Sequence, residues 1–207
     1  MMHLDEARAW EVVDLELGRI VDLLEELNED QWNAMSLCEG WRVRHVAAHL
    51  VSRELTTMQI LGKALRYLGN VDRAIDASAR DISNRFTDPE VVEQLREMIG
   101  HRVVNKFVTP HDVMVEMLVH GLDIAVPLGV DLEQPEDAMI AAIERMVKAA
   151  GTTKGKTQGG GVSLAKVTLK ATDADWSHES ADPDAEIKEG TLAGLLLYVT
   201  GRTPHQR

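Results

Sequence analysis

The sequence is poor in cysteine and in long apolar runs. Cys38 is the sole cysteine among 207 residues, which excludes an internal disulfide and suits a reducing compartment. The longest apolar stretch, around Leu195–Leu197, is too short to span a bilayer, and the first residues lack both the basic and the apolar region of a signal peptide. We therefore expect a cytoplasmic protein that does not insert into membranes.

Positive charge is also scarce. The chain has 22 Lys and Arg against 34 Asp and Glu, for a formal net charge of -12. Because binding to a phosphate backbone requires a basic face, nucleic acids and anionic membranes are not expected partners. The 44% hydrophobic content supports the core of one domain with a small appendage. We expect a monomer or homodimer that acts on small molecules.

The spacing of apolar residues predicts a mainly α fold. An amphipathic helix that packs along a bundle seam is predicted where apolar residues recur every three or four positions, at Trp10, Val13, Leu17, Ile20, Leu24 and Leu27. A loop should follow over 28–40. Further helices are expected over 41–68, 71–86 and 89–104, then from Pro110 to a stop at Pro127 and Gly129, and over 135–150.

The composition changes after residue 150. The glycine-rich stretch 151–161 predicts a linker or mobile loop between a helical region, 1–150, and a small α/β segment, 162–207. In the latter, Val167–Ala171 alternates as a strand and Thr191–Thr200 is an apolar helix. This segment is too short to bury its own core, so it must dock on the helices and bring Arg202 to the interface.

Three polar residues interrupt apolar helices in a pattern typical of metal ligands. Glu116 and His120 lie four positions apart, so both side chains project from one helix face. His49 lies in the apolar run of an earlier helix, where a buried imidazole needs a partner. Two imidazoles and one carboxylate would form an open His2Glu site.

A simpler interpretation is that these residues form polar faces of amphipathic helices. Asp112 and Asp123 extend the stripe of Glu116 and His120, and Arg42, His45, His49 and Arg53 form a second stripe; each stripe could face solvent or a polar cavity. For His45 we favour a supporting or surface position over ligation. For Cys38 we favour a buried structural role, because no neighbouring base would lower the pKa of the thiol.

The order of these motifs resembles a known family. Cys38–Trp41 leading into His45–Leu50, followed by Glu116–Asp123, is similar to the mycothiol-dependent maleylpyruvate isomerase family of the DinB-like metal-binding bundles. The segments Val167–Asp173 and Thr191–Arg202 resemble that family's small α/β C-terminal domain. The resemblance spans most of the chain.

The resemblance implies a fold and a site. It implies an up-and-down four-helix bundle with a metal, zinc by expectation, at one end, held by His49, Glu116 and His120. It also implies that Arg202 has a catalytic role in binding substrate. We add Arg53 as a candidate for binding the cofactor or a carboxylate, since a guanidinium matches carboxylate geometry.

The implied chemistry uses mycothiol as a thiol cosubstrate. The thiolate would add to the cis double bond of maleylpyruvate, and elimination after rotation would release fumarylpyruvate. Alternatively, the thiolate would be transferred to a small electrophile, or a metal-bound hydroxide would hydrolyse a substrate. An interpretation of another class is a non-catalytic helical module that binds a metal or ligand and acts through a protein partner. The sequence leaves these alternatives open.

Overall fold

A computed structural model describes residues 4–54, 70–102, 108–150, 164 and 166–202. This part of the chain contains the helices α1 (Glu6–Glu25), α2 (Glu29–Asn33), α3 (Val43–Val51), α4 (Val71–Arg85), α5 (Asp88–Glu97), α6 (Pro110–Leu128), α7 (Glu136–Ala149) and α8 (Leu192–Val199). Its strands are β1 (Val167–Ala171), β2 (Ser177–His178) and β3 (Glu186–Gly190). The predicted fold class, a mainly α bundle with a small α/β segment, is confirmed. No helix in these ranges is long and apolar enough to cross a membrane.

The bundle is organised around α1 and α6, which pack along each other. The N-cap Asp5 starts α1 by accepting a hydrogen bond from the Arg8 backbone, and the predicted apolar face of α1 is buried. Helix α3 packs against α4, α5 and α6, while α7 lies on α6. The apolar core therefore surrounds α6, the helix that carries Glu116 and His120.

The predicted loop over 28–40 is wrong in part, because it contains α2. Asn28 and Gln31 form a reciprocal capping box, which satisfies the free backbone groups of a first helical turn. Trp32 is buried and holds this turn against the core. The capping pair and one aromatic anchor suffice for a five-residue helix where no apolar period is visible.

The second predicted helix, 41–68, begins at Val43 and is followed after Val51 by a 3-10 turn over Ser52–Glu54. Its remainder lies outside the described residues. Asn70, two positions after the predicted end of that helix, caps α4 by accepting a hydrogen bond from the Arg73 backbone. Helix α5 ends at Glu97, earlier than the predicted 104, and a left-handed Gly100 follows it.

Helix α6 starts as predicted, with Thr109 and Asp112 in a capping box and Pro110 in the first turn. Pro127 does not stop it; the helix ends after Leu128 at the left-handed Gly129. Since Pro127 has no N–H, it cannot donate to the carbonyl of Asp123 four residues earlier. The backbone N–H of Leu37 donates to that carbonyl instead, at 3.1 Å. This bond fastens the loop before α3 onto α6.

The C-terminal segment docks on the bundle, as predicted. The expected strand and helix are β1 and α8, and the sheet order β2-β1-β3 adds two strands that the sequence did not reveal. β1 pairs antiparallel with β2 and parallel with β3. Helix α8 packs on α7 and α6. The predicted linker, 151–161, lies outside the described residues, so the domain boundaries stay predictions.

We predict that Leu196→Ala destabilises the protein by about 3 kcal/mol, because it removes a fully buried side chain between α8 and the bundle. Chemical denaturation monitored by circular dichroism measures this change. The matched control is Leu15→Ala on α1, whose side chain is 42% exposed and which should cost less than about 0.5 kcal/mol. Equal destabilisation by both variants would contradict tight docking of α8.

Candidate functional site

Three side chains predicted as ligands converge between α3 and α6. One ligand atom from each of His49, Glu116 and His120 lies within 4.8 Å of the other two. His49 Nε2 is 3.1 Å from Glu116 Oε1. The two imidazole rings meet edge to face, with centroids 5.0 Å apart. Side chains from residues more than 60 positions apart in the sequence thus meet at one site.

Local helix geometry explains this convergence. Glu116 and His120 are one turn apart on α6, and His49 is presented by the last turn of α3. The neighbouring positions Val46, Ala47 and Leu50 of α3 are buried in the core, which fixes the rotation of that helix. The ring of Trp41 packs at a tilt against His49, with centroids 5.3 Å apart.

His120 is held in one tautomer. Its Nδ1 lies 2.8 Å from Asp123 Oδ2, so this nitrogen carries the proton and donates it to the carboxylate. The remaining nitrogen, Nε2, keeps its lone pair. Burial lowers the pKa of His120, and this effect outweighs the opposing bond to Asp123. The ring is therefore a neutral imidazole near pH 7, the form that binds metals.

Glu116 is an ionised carboxylate with two basic neighbours. Burial alone would raise its pKa, but the hydrogen bond from His49 and the charge of Arg53 lower it to about 2. Arg53 Nε lies 3.2 Å from Oε2, while His49 faces Oε1. Arg53, predicted to bind a cofactor or carboxylate, thus holds a candidate ligand in this structure.

Asp123 links the site to two other parts of the chain. Its carboxylate accepts hydrogen bonds from Cys38 Sγ at 3.0 Å and from Arg202 Nε and Nη2, both at 3.2 Å. Burial alone would raise the pKa of Asp123, but the hydrogen bond from His120 and the charge and hydrogen bonds of Arg202 lower it to about 2. Arg202 therefore reaches the bundle interface, as the docking argument predicted.

The donor set fits a divalent metal of the zinc type. Two neutral imidazoles and one carboxylate are ligands that zinc accepts, and three protein ligands leave one position open. His49 Nδ1 is buried and has no hydrogen-bond partner among the described residues. With a divalent ion bound, the Nε2 lone pair of His49 and the facing carboxylate oxygen of Glu116, 3.1 Å apart, could both serve as ligands.

The other candidate residues do not belong to this group of three ligands. Asp112, in the same predicted stripe, turns to Arg145 of α7, with Oδ1 2.6 Å from Nη2. His45 accepts a hydrogen bond from the Arg42 backbone and caps the start of α3. Cys38 is half-buried, and burial raises the pKa of its thiol. Its contact with Asp123, 85 positions away, was not foreseen from the sequence.

The described part of the chain contains a small cavity and a larger one. One, of about 30 Å³, has room for about one water molecule and lies beside Arg53 among mostly apolar side chains. The other, of about 680 Å³, opens between the α6–α7 connection and the start of α8. None of the predicted site residues lines the larger cavity.

Comparison with known proteins identifies the family of this chain. A family model, the mycothiol maleylpyruvate isomerase N-terminal domain, matches residues 13–125, which include all three candidate ligands, Arg53 and Asp123. The chain belongs to the mycothiol maleylpyruvate isomerase family. The resemblance noted from the motifs is thereby confirmed. A comparison with curated protein sequences finds no match.

Solved structures show the same fold over a longer range than the family model. A crystal structure of the mycothiol-dependent maleylpyruvate isomerase superposes with a TM-score of 0.63 at 17% identity, covering 98% of this chain and 91% of that one. The structure of a histidine-to-alanine mutant of that isomerase gives a TM-score of 0.54 at 16% identity, covering 97% and 91%. At such identities the likeness concerns the fold, including the C-terminal segment.

Proposed function

We propose that the protein is a cytoplasmic, metal-dependent enzyme that uses a low-molecular-weight thiol, mycothiol, to isomerise the cis double bond of a small dicarboxylate such as maleylpyruvate. One observation carries this proposal: His49, Glu116 and His120 present three ligand atoms within 4.8 Å of one another. The family membership supplies the class of thiol and of substrate. The proposed metal is zinc, although such a donor set accepts other divalent ions.

The proposed roles follow from the contacts at the site. A bound zinc ion would supply an electrophilic centre that keeps a thiol sulfur in its deprotonated form. His49 and His120 would contribute neutral nitrogen donors and Glu116 an anionic oxygen. Arg53, against the second oxygen of Glu116, keeps that carboxylate ionised and oriented. The two imidazoles add no charge, so the centre would remain net positive.

In the proposed reaction, the thiolate sulfur forms a C–S bond to one carbon of the cis double bond. The π electron pair of the double bond moves at the same time toward the conjugated carbonyl oxygen, which gives an enolate. Rotation follows about what is now a single bond. The C–S bond then breaks, the trans double bond forms, and the thiol returns unchanged. No net oxidation or proton transfer to the protein is required.

Arg202 was predicted to hold a substrate carboxylate, and this stays a prediction. Its guanidinium is 13% exposed and already donates to Asp123 through Nε and Nη2, to Cys38 Sγ through Nη2 and to the Thr200 carbonyl through Nη1. Substrate binding would have to use the remaining N–H of Nη1. Arg53 is the other cation beside the candidate ligands, so we propose that it helps attract the dianion to this acidic protein.

The test is turnover of maleylpyruvate by the zinc-reconstituted protein, followed by loss of the cis isomer, with and without mycothiol. We expect isomerisation that requires the thiol and falls to the uncatalysed rate without it. The His45→Ala variant is the matched control and should retain the rate, because His45 bonds to the Arg42 backbone and belongs to no candidate metal group among the described residues. Turnover that requires the metal but proceeds equally well without the thiol would refute the thiol mechanism and favour hydrolysis.

The product identifies which thiol reaction occurs. An isomerase returns free thiol in full, whereas an S-transferase consumes one thiol for each product formed. Mass spectrometry of the reaction mixture distinguishes the two. No turnover with maleylpyruvate or with reactive electrophiles, by protein that holds its metal, would refute the enzymatic proposal and favour the non-catalytic binding module.

A further inference from the structure

We propose that Asp123 is a positioning residue that orients His120 for metal binding, and that Arg202 holds Asp123 in place, so that the docked C-terminal segment completes the metal site. This inference rests on the proposed function, since it presumes that His120 is a ligand. In this inference Arg202 holds Asp123 in place, a role that is separate from binding a substrate carboxylate.

The Asp123 carboxylate accepts hydrogen bonds from three separate segments of the chain. Its side chain is fully buried, and Oδ2 accepts from His120 Nδ1 at 2.8 Å, Cys38 Sγ at 3.0 Å and Arg202 Nη2 at 3.2 Å. Oδ1 accepts from Arg202 Nε. A buried carboxylate with donors from three separate segments cannot rotate without breaking several bonds. The position of Nδ1 of His120 is therefore fixed.

The consequence for His120 lies at its other nitrogen. With the proton held on Nδ1, the lone pair of Nε2 is available for a ligand, and the ring plane is set by the carboxylate. A carboxylate also makes the imidazole a better electron donor than an amide or water would. Loss of such a partner typically weakens metal binding about 10–100-fold.

The backbone at the end of α8 aims Arg202 at Asp123. Gly201 adopts a left-handed conformation with φ of 75°, and Arg202 N–H donates to the Leu197 carbonyl at 2.8 Å. This is the turn that closes helices with a glycine after the cap. Arg202 Nη1 then donates to the Thr200 carbonyl. Two backbone contacts thus direct a buried guanidinium to the one carboxylate that holds His120.

A second buried pair on α6 offers a matched control. Asp112 is buried and forms two hydrogen bonds with the guanidinium of Arg145, at 2.6 and 3.0 Å. Arg145 and Thr109, which both form hydrogen bonds with Asp112, are not candidate ligands. Removing its charge therefore disturbs a buried pair on the same helix without touching His120.

The experiment is titration of the metal-free full-length protein with Co²⁺, whose visible absorption reports ligand geometry. Wild type is compared with Asp123→Asn, with the double variant Asp123→Asn and Arg202→Gln, and with Asp112→Asn. Asp123→Asn alone leaves the charge of Arg202 without its partner, which could unfold the protein. The double variant removes both charges and so avoids an unpaired buried charge. Thermal unfolding of each metal-free protein is measured alongside.

We expect the two variants at Asp123 to bind Co²⁺ about 10–100-fold more weakly than wild type, with an altered visible spectrum, while Asp112→Asn binds within about threefold. Wild-type affinity and spectrum in the double variant would overturn the inference, as would an equal loss in Asp112→Asn. Failure of wild type to bind Co²⁺ would overturn the proposed function itself, and the inference with it.

Discussion

The His49→Ala variant is expected to lose its metal, from about one ion per chain in wild type to less than about 0.1, because only two protein ligands would remain. His49 is the sole candidate ligand on α3, so its loss leaves Glu116 and His120 of α6 to hold the ion alone. Thiol-dependent turnover should vanish with the metal. Plasma mass spectrometry on protein purified without chelator measures the first effect.

The control for this prediction is His45→Ala, one turn earlier on the same helix. His45 contacts the Arg42 backbone and belongs to no candidate metal group among the described residues. It should keep one metal ion per chain, and both variants should keep the helical circular dichroism of wild type. Full metal content in His49→Ala would refute the assignment of His49 as a metal ligand.

The second large effect is expected from Arg202→Ala, which should lower the free energy of unfolding by about 3–5 kcal/mol, the usual cost of breaking a buried ion pair by removing one partner. Asp123 is fully buried and Arg202 is 13% exposed, so solvent screens this ion pair only weakly. The charge on Asp123 would then lack its cationic partner. Denaturation with urea, with the C-terminal segment followed separately by limited proteolysis, measures the loss.

The same variant separates the two roles of Arg202. If Arg202 binds a substrate carboxylate alone, KM for the dicarboxylate rises while metal affinity and stability stay at wild-type values. If it holds Asp123, stability and metal affinity both fall. An Arg202→Ala protein as stable as wild type would contradict the buried-pair argument, whatever its kinetics.

The candidate ligands could be predicted because their signal is local. Glu116 and His120 are one turn apart in an apolar helix, so their spacing predicted one shared helix face, and His49 interrupts an apolar run, which predicted its burial. Helix α6 was also predictable at its start, where Thr109, Pro110 and Asp112 are typical capping residues.

The support around the ligands could not be predicted, because its contacts join distant segments. Cys38 lies 85 positions before Asp123, and Arg202 lies 79 positions after it. Spacing within a helix carries no information on such pairs. The one local signal was the three-residue step from His120 to Asp123, which allows a hydrogen bond on one helix face but also fits a solvated stripe.

The sheet and α2 escaped prediction for a related reason. β2 has two residues and β3 is largely exposed, so neither shows an apolar alternation. β3 forms only because β1 provides a parallel partner for it. α2 depends on a capping pair and on one buried tryptophan. In each case, tertiary contact rather than local pattern decides the structure.

The contact between Cys38 and Arg202 spans 164 positions, which has a consequence for biosynthesis. A ribosome delivers the helices that carry the candidate ligands well before it delivers Arg202, and chains fold from the N-terminal side as they emerge. Until Arg202 is made, the carboxylate of Asp123 has no guanidinium partner and α6 lacks the cover of α8. If the proposed site binds its metal, the nascent bundle would therefore be a poor acceptor, and metal loading would follow the completion of α8 and its closing turn.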